Sequence, residues 1–241
     1  SIHQDHEIPI RIFYPEERKH EEHVIYLHGG GWALGDVDTY TSACVNLANH
    51  LHRNVYVVDY RKAPEHPYPA AFEDCLQAVK VLLTSKREGK EKNWIVMGDS
   101  AGGNLAAAVS LKLRNENEKL PIKQVLIYPL TYWEHNENSP YESVRANGYD
   151  YGLTIKKINE YMEMYVPNEE ERKSPYVAPL LAEDFRNQPD TLVITSEFDP
   201  LRDEGEAYGR ALKEAGNHVE IKRILNSVHG FITYPPFVDP L

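Results

Sequence analysis

The stretch WIVMGDSAGGN, residues 94–104, surrounds a single serine with glycine and alanine. An apolar run typical of a buried strand precedes Ser100, and a pattern typical of a helix follows it. The pentapeptide at 98–102 matches G-x-S-x-G, in which a sharp strand-to-helix turn projects the serine hydroxyl. Larger side chains at Gly98 and Gly102 would collide across such a turn. We therefore predict that Ser100 is a nucleophile; a tight turn without chemistry is the alternative.

Apolar, β-branched runs alternate with amphipathic helical patterns through most of the remaining chain. The strand patterns cover 8–14, 23–27, 54–60, 93–97, 123–128, 191–196 and 218–225. Helical spacing of apolar residues lies between them, at 44–51, 72–83, 105–113 and 207–215. This alternation predicts an α/β fold with a mostly parallel sheet and helices on both faces.

The segment 131–190 interrupts this alternation. It contains a polar loop, YWEHNENSPYES at 132–143, and one helical pattern around 155–165, but no convincing core strand. We therefore predict a single domain over 1–241 in which 131–190 is inserted between two sheet strands. The insertion should lie above the strand ends, where ligands bind in open α/β sheets.

A second glycine-rich motif, YLHGGGW at 26–32, directly follows a predicted strand. Successive glycines let the backbone approach a ligand closely and turn N–H groups toward it. A phosphate-binding loop is the competing interpretation, but the motif fits neither G-x-x-x-x-G-K-[ST] nor G-x-G-x-x-G. The motif therefore favours an oxyanion hole, which such loops complete in esterases with this nucleophile turn.

A nucleophilic serine needs a base and a carboxylate that orients the base. The sequence ITSEFDPLRDEGE at 194–206 places three candidate carboxylates after a strong strand. Asp199 stands just past the strand end and is the preferred acid. Glu197 lies too close to the strand, and Asp203 is expected to start the next helix as a cap.

Only two histidines follow Asp199 in the sequence. His218 begins a predicted strand, whereas His229 lies in a loop after the last strand and is the preferred base. The pairs His3/His6 and His20/His23 have a spacing compatible with metal binding. No further cysteine or carboxylate supports either pair, so no metal site is expected.

Composition limits the partners of the chain. Lys and Arg total 26 and Asp and Glu total 37, for a net charge of −11. Such a balance disfavours binding to nucleic acid or to an anionic membrane. No apolar run reaches the length of a membrane span, and no signal-peptide pattern opens the chain. Cys44 and Cys75 are expected to be buried thiols, which fits a cytoplasmic protein.

Taken together, these motifs resemble the hormone-sensitive lipase family of α/β-hydrolases, also called bacterial family IV esterases. The resemblance extends over residues 7–235 and includes HGGGW, DYRKAPEHPYPAAFED, GDSAGGN, SPYVAPL, DPLRDEGEAYGRAL and HGF in family order. It implies the α/β-hydrolase fold with a cap and no cofactor. It also implies that Ser100, Asp199 and His229 form a catalytic triad. The implied oxyanion hole is the backbone N–H groups of Gly30, Gly31 and Ala101, supported by His28, Gly29, Gly98 and Gly102.

The resemblance implies a carboxylester hydrolase acting on small to medium acyl esters through an acyl-enzyme. An amidase or peptidase using the same triad is one alternative. A non-catalytic small-molecule receptor, as the plant gibberellin receptors of this family are, is another. Such receptors lose the catalytic histidine, so the presence of His229 favours an enzyme. A homodimer is a further possibility at this stage. Family members usually carry N-terminal cap helices, whereas this sequence starts near its first predicted strand.

Overall fold

The computed structural model describes residues 6–87, 90–91 and 93–234. Seven strands form one sheet. They are β1 (Ile10–Phe13), β2 (His23–Leu27), β3 (Val55–Val58), β6 (Trp94–Asp99), β7 (Lys123–Ile127), β8 (Asp190–Phe198) and β9 (Val219–Val228). Their order across the sheet is β1-β3-β2-β6-β7-β8-β9. Strand β1 is antiparallel to β3, and every other neighbouring pair is parallel. The predicted mostly parallel α/β sheet is confirmed.

Six α-helices accompany the described strands: α1 (Thr41–Leu51), α2 (Ala70–Thr84), α3 (Ala101–Asn115), α4 (Glu142–Asn147), α5 (Ile155–Tyr165) and α6 (Arg202–Glu214). The helical spacing in the sequence predicted all of these except α4, which is too short to show a repeat. A hairpin of two short strands, β4 (Lys86–Arg87) and β5 (Lys90–Glu91), was not expected either. Both unpredicted elements are short enough that hydrophobic periodicity carries no signal for them.

The two faces of the sheet bury separate apolar cores. Ile25 and Leu27 of β2 join a large cluster with residues of α2, α3 and α6. Val24 and Tyr26 face the opposite cluster, which includes residues of α1. Alternating side chains of one strand thus enter different cores, which explains its continuous apolar sequence. The thiols of Cys44 and Cys75 are free and buried, one in each cluster, as predicted.

The residues between β7 and β8 are all described, and none of them is in a strand. They form α4, α5 and two 3₁₀ helices, Glu169–Lys173 and Pro179–Leu181. Helix α5 packs on the glycine-rich loop after β2, where Tyr165 stacks on Trp32 with ring centroids 4.4 Å apart. None of the helices in the described part of the chain is long and apolar enough to cross a membrane.

Candidate active site

Ser100 occupies the turn between β6 and α3 in a strained backbone conformation, with φ 55° and ψ −120°. Its N–H donates to the carbonyl of Ile127 at 2.9 Å, which ties the turn to the neighbouring strand. A Cβ atom on Gly102 would lie 1.9 Å from the carbonyl oxygen of Leu27, and one on Gly98 would lie 2.2 Å from that of Gly102. The turn therefore requires glycine at both positions because backbone atoms fill the space of a side chain.

His229 follows β9, the strand at one edge of the sheet, and its side chain reaches Ser100. Its Nε2 lies 2.8 Å from Ser100 Oγ, and its Nδ1 lies 2.7 Å from Asp199 Oδ2. The ring of Tyr128, at the end of β7, packs against the imidazole with centroids 4.5 Å apart. The structure thus brings three residues into one hydrogen-bonded chain although 129 positions separate the serine from the histidine.

Asp199 is fully buried at the end of β8. Its second oxygen, Oδ1, accepts a hydrogen bond from the N–H of Leu201 at 2.9 Å. Both carboxylate oxygens therefore have partners, which offsets the cost of burying the group. With this arrangement Asp199 can hold His229 in the tautomer that presents Nε2 to the serine.

The rival residues point elsewhere. Glu197 accepts from the N–H of Asn226 at 2.7 Å, and His218 lies 3.5 Å from Asp190. Asp203 accepts from the N–H of Ser143 at 2.8 Å. Helix α6 begins at Arg202 after Leu201, with no side-chain cap, so the expectation that Asp203 caps this helix is wrong. Asp203 instead lies in the first turn and binds α4, an element that the sequence did not reveal.

The glycine-rich loop lies beside the serine. Gly30 and Gly31 have φ of 112° and 60°, values that favour glycine, and a Cβ on Gly31 would lie 2.4 Å from the ring of Tyr161. Within the described residues, no protein acceptor pairs with the N–H groups of Gly30, Gly31 and Ala101. All three residues line the same cavity as Ser100. This is the arrangement of donors that an oxyanion needs.

Asp99 holds the glycine-rich loop against the serine turn, a role that sequence reasoning missed. Its Oδ1 accepts from the N–H of Gly29 at 2.9 Å and from the hydroxyl of Tyr26 at 2.7 Å. The hydroxyl of Tyr40 donates to Oδ2 at 3.0 Å. Burial raises the pKa of Asp99, although these three donors oppose the rise. A lone carboxylate within an otherwise apolar strand was the signal that could have revealed this role.

His28 stabilises the start of the same loop. Its ring stacks on Tyr60 with centroids 4.3 Å apart, and its Nδ1 lies 2.8 Å from the carbonyl of Gly29. The hydroxyl of Tyr60 donates to the carbonyl of His28 at 2.7 Å. Burial lowers the pKa of His28 to about 4, so the ring is neutral at pH 7. It therefore supports the loop through packing and hydrogen bonds and carries no charge into the site.

Glu204 is a second buried acid that the sequence did not reveal. Its Oε1 accepts from the N–H groups of Thr131 and Tyr132 at 2.7 and 3.0 Å. Its Oε2 lies 2.7 Å from Nε2 of His135, and both side chains are fully buried. Glu204 thus joins α6 to the start of the segment that follows β7, whose helix α5 lines the cavity that Ser100 also lines.

A cavity of about 370 Å³ opens beside Ser100 and His229. Helix α5 supplies one wall through Lys157, Ile158 and Tyr161, and Leu130 and Leu201 line the side of the sheet edge. The lining is largely apolar around a few polar groups, which is typical of small-molecule sites.

Metal-binding patterns do not assemble within residues 6–87, 90–91 and 93–234, where no group of three or more His, Cys, Asp or Glu side chains could hold an ion. His6 instead lies 2.8 Å from Asp74, and the ring of His23 packs on Trp94 with centroids 4.9 Å apart. His3, the other member of the first pair, lies outside the described residues.

Comparison with known proteins agrees with this architecture. A family profile described as the α/β-hydrolase fold matches residues 24–233. The chain therefore belongs to the α/β-hydrolase fold family, and its resemblance to the hormone-sensitive lipase branch is confirmed.

Individual relatives are similar over most of the chain. An arylesterase of Saccharolobus solfataricus is 38% identical, over 96% of this chain and 75% of its own length. Carboxylic ester hydrolase LipN of Mycobacterium tuberculosis is 35% identical over 94% of this chain, which spans only 61% of that relative. The solved structure of a hyperthermophilic esterase from Pyrobaculum calidifontis superimposes with a TM-score of 0.87 at 38% identity, covering 97% of this chain and 74% of that one.

Proposed function

We propose that this chain is a serine carboxylester hydrolase that acts on small to medium acyl esters through an acyl-enzyme. The observation that carries the proposal is the hydrogen-bonded chain from Asp199 through His229 to Ser100, at 2.7 and 2.8 Å, opening on one cavity. The relatives named above as esterases support the same reaction class.

Acylation begins when Ser100 Oγ attacks the ester carbonyl carbon. His229 Nε2 accepts the hydroxyl proton as the new C–O bond forms, and Asp199 stabilises the charged imidazole. The carbonyl electrons move onto the substrate oxygen, which accepts hydrogen bonds from the backbone N–H groups of Gly30, Gly31 and Ala101. Collapse of this intermediate breaks the bond to the alcohol, which leaves with the proton from His229.

Deacylation repeats the sequence with water as the nucleophile. His229 accepts a proton from the water as its oxygen attacks the acyl carbon. The second tetrahedral intermediate uses the same N–H donors, and its collapse releases the carboxylic acid and returns the proton to Ser100. No cofactor takes part in either proposed step.

We further propose that the segment 131–190 acts as a cap over one hydrolase domain. The contacts of α5 with the glycine-rich loop, through Tyr161 and Tyr165, support this role. A cavity of about 370 Å³ supports substrates of modest size.

A serine-directed fluorophosphonate and a panel of p-nitrophenyl esters of rising acyl length test the proposal. The probe should add one covalent mass on the peptide that contains Ser100. Ser100→Ala should lose the label and nearly all ester hydrolysis, with a fall of at least about 10³-fold in kcat. Ser85→Ala, at the end of α2, is the matched control and should retain both.

Labelling at another residue, or full esterase activity in Ser100→Ala, would contradict the assignment. Hydrolysis of anilides faster than of the matching esters would favour the amidase alternative. Reversible ligand binding without labelling or turnover would favour the receptor alternative.

A further inference from the structure

Lys157 is a cation in the wall of the cavity that holds Ser100 and His229. It lies in the first turn of α5, and its Nζ donates to the carbonyl of Gly152 at 3.2 Å. Gly152 lines the cavity as well. This hydrogen bond keeps the ammonium group near the cavity and leaves its other two donors available.

The charge of Lys157 is not neutralised within the protein. Lys157 is exposed, as Lys156 is, but it forms no ion pair with any described carboxylate, whereas Lys156 lies 3.7 Å from Glu160. Two adjacent lysines of one helix therefore differ in both location and pairing. Only the one at the cavity has a free charge.

The cavity offers Lys157 no anionic partner. Asp99 is the one carboxylate in the described lining, and its oxygens already accept from Gly29, Tyr26 and Tyr40. The protein as a whole carries a net charge of −11 and would repel an anion. The ammonium group of Lys157 is therefore a positive charge without an ion-pair partner among the described residues, in a protein whose net charge is negative.

We propose that Lys157 binds an anionic group of the substrate, a carboxylate remote from the ester bond. This inference rests on the proposed esterase function and names the substrate class of that site: half-esters of dicarboxylic acids, or esters whose alcohol part bears a carboxylate. A partly exposed ion pair of this kind contributes modestly, so the effect is a preference among esters and not an absolute requirement.

Two matched ester pairs test the proposal by pH-stat titration at neutral pH. In the first pair, the anionic ester is monomethyl adipate, with the charge in the acyl part, and the neutral ester is methyl hexanoate. In the second pair, the anionic ester is 4-carboxyphenyl butyrate, with the charge in the alcohol part, and the neutral ester is phenyl butyrate. For at least one pair, Lys157→Gln should lower the ratio of kcat/KM for the anionic ester to that for the neutral ester about two- to fivefold. Lys157→Arg should preserve the ratio.

Lys156→Gln is the control, because it removes a positive charge one residue away without altering the cavity. It should leave both ratios within error of the wild type. The wild-type preference should also weaken in about 1 M salt, which screens exposed charges. The proposal is overturned if Lys157→Gln changes neither ratio, or if Lys156→Gln changes them equally.

A binding measurement separates this proposal from the proposed activity. In the Ser100→Ala background, saturation-transfer NMR gives the Kd of monomethyl adipate and of methyl hexanoate without turnover. Adding Lys157→Gln should weaken binding of the half-ester about two- to fivefold and leave the neutral ester unchanged. If the wild type hydrolyses no ester, the esterase proposal fails, and this comparison still decides whether Lys157 binds the carboxylate.

Discussion

Two strand-to-helix turns at the carboxyl edge of the sheet carry the candidate site, and they are built differently. The turn after β6 contains Ser100 between glycines, and backbone atoms fill the space around it. The turn after β8 contains Asp199, and the first turn of α6 that follows it contains Asp203 and Glu204. These carboxylates bind three different partners: His229, a backbone N–H group of α4, and the residues directly after the end of β7.

The difference shows two ways of positioning a functional group. Steric exclusion fixes the serine turn, because backbone atoms leave no room for a Cβ on the glycines two residues before and after Ser100. Hydrogen bonds to partners far away in the chain position the three acids. Asp199 and Glu204 are fully buried and need donors for their oxygens, whereas Asp203 is only partly buried. Substitutions in the first turn should therefore act through backbone displacement, and those in the second through loss of a specific partner.

The largest effect is expected at the acid that faces His229. Asp199→Asn removes the charge that stabilises the imidazolium and disfavours the productive tautomer of the histidine. The equivalent change in a serine protease lowers kcat about 10⁴-fold, and we expect a loss of about 10²–10⁴-fold here. Steady-state kinetics on a p-nitrophenyl ester measure it, with circular dichroism to verify folding. Normal kinetics in this variant would remove Asp199 from the mechanism.

The steric account of the serine turn predicts a large effect from one added methyl group. In Gly102→Ala the new Cβ would meet the carbonyl oxygen of Leu27 at 1.9 Å, so the backbone at the end of β2 or at the start of α3 must move. We expect destabilisation of more than about 3 kcal/mol, at the upper end for overpacking, with loss of activity. Urea unfolding and ester hydrolysis measure the two effects.

Gly205→Ala in α6 is the matched control, because a Cβ there has no neighbour closer than 3.4 Å. It should be neutral or stabilising by up to about 1 kcal/mol, as alanine favours the helix. If both variants behave alike, crowding does not explain the glycine at position 102.

An intermediate effect on stability is expected at Glu204. In the wild type, Oε1 of Glu204 accepts from the N–H groups of Thr131 and Tyr132, and Oε2 lies against the ring of His135. In Glu204→Gln an amide N–H₂ replaces one of these oxygens, so it faces either the two backbone donors or the ring. A buried polar group left without a partner costs about 1–3 kcal/mol. Thermal melts should show a fall of several degrees.

Glu206→Gln, two residues further along α6, is the control. Glu206 pairs with Arg223 nearer the surface, at 2.8 Å, and its loss should cost less than about 1 kcal/mol. If Glu206→Gln lowers the melting temperature more than Glu204→Gln does, the buried hydrogen bonds of Glu204 do not contribute more to stability than the more exposed ion pair of Glu206.

The smallest effect is expected at Asp203, and it should depend on pH. Burial tends to raise the pKa of Asp203, but hydrogen bonds from Arg202 and Ser143 outweigh it and lower the pKa below its ordinary value. This carboxylate therefore stabilises the fold at neutral pH, and the contribution is lost as the pH falls through the folded-state pKa.

Asp203→Asn should cost no more than about 1 kcal/mol at pH 7 and leave kcat nearly unchanged. The difference in unfolding free energy from the wild type should narrow as the pH falls below about 4. Urea unfolding at a series of pH values measures it. If the difference in unfolding free energy between the wild type and Asp203→Asn widens toward acid pH, the carboxylate does not stabilise the fold in its charged form.

Much of this architecture can be predicted from the sequence, because hydrophobic periodicity and turn motifs depend on residues that are close together in the chain. Strand and helix periodicities predicted the order of the main elements, and β6 begins one residue later and ends two residues later than the predicted 93–97. The residues of the serine turn are contiguous, so G-x-S-x-G can be recognised in the sequence, although the carbonyl that crowds Gly102 belongs to Leu27 of β2. By contrast, α4 and the β4–β5 hairpin are too short for a periodic signal. The partners of Asp99 come from β2, from the glycine-rich loop and from Tyr40, which precedes α1.

The sequence by itself predicted the serine turn, the glycine-rich loop and the chain order of serine, acid and histidine, with Asp199 as the preferred acid among three candidates. Only the tertiary structure decided which of three carboxylates meets the histidine, where Glu204 binds, and that Lys157 faces the cavity while Lys156 does not. The physical reason is the distance along the chain. The residues that form the serine turn are contiguous in the chain, whereas the hydrogen bonds between Asp199 and His229 and between Thr131 and Glu204 join residues 30 and 73 positions apart. The partners of these acids are set by the order of strands in the sheet and by the packing of the segment after β7.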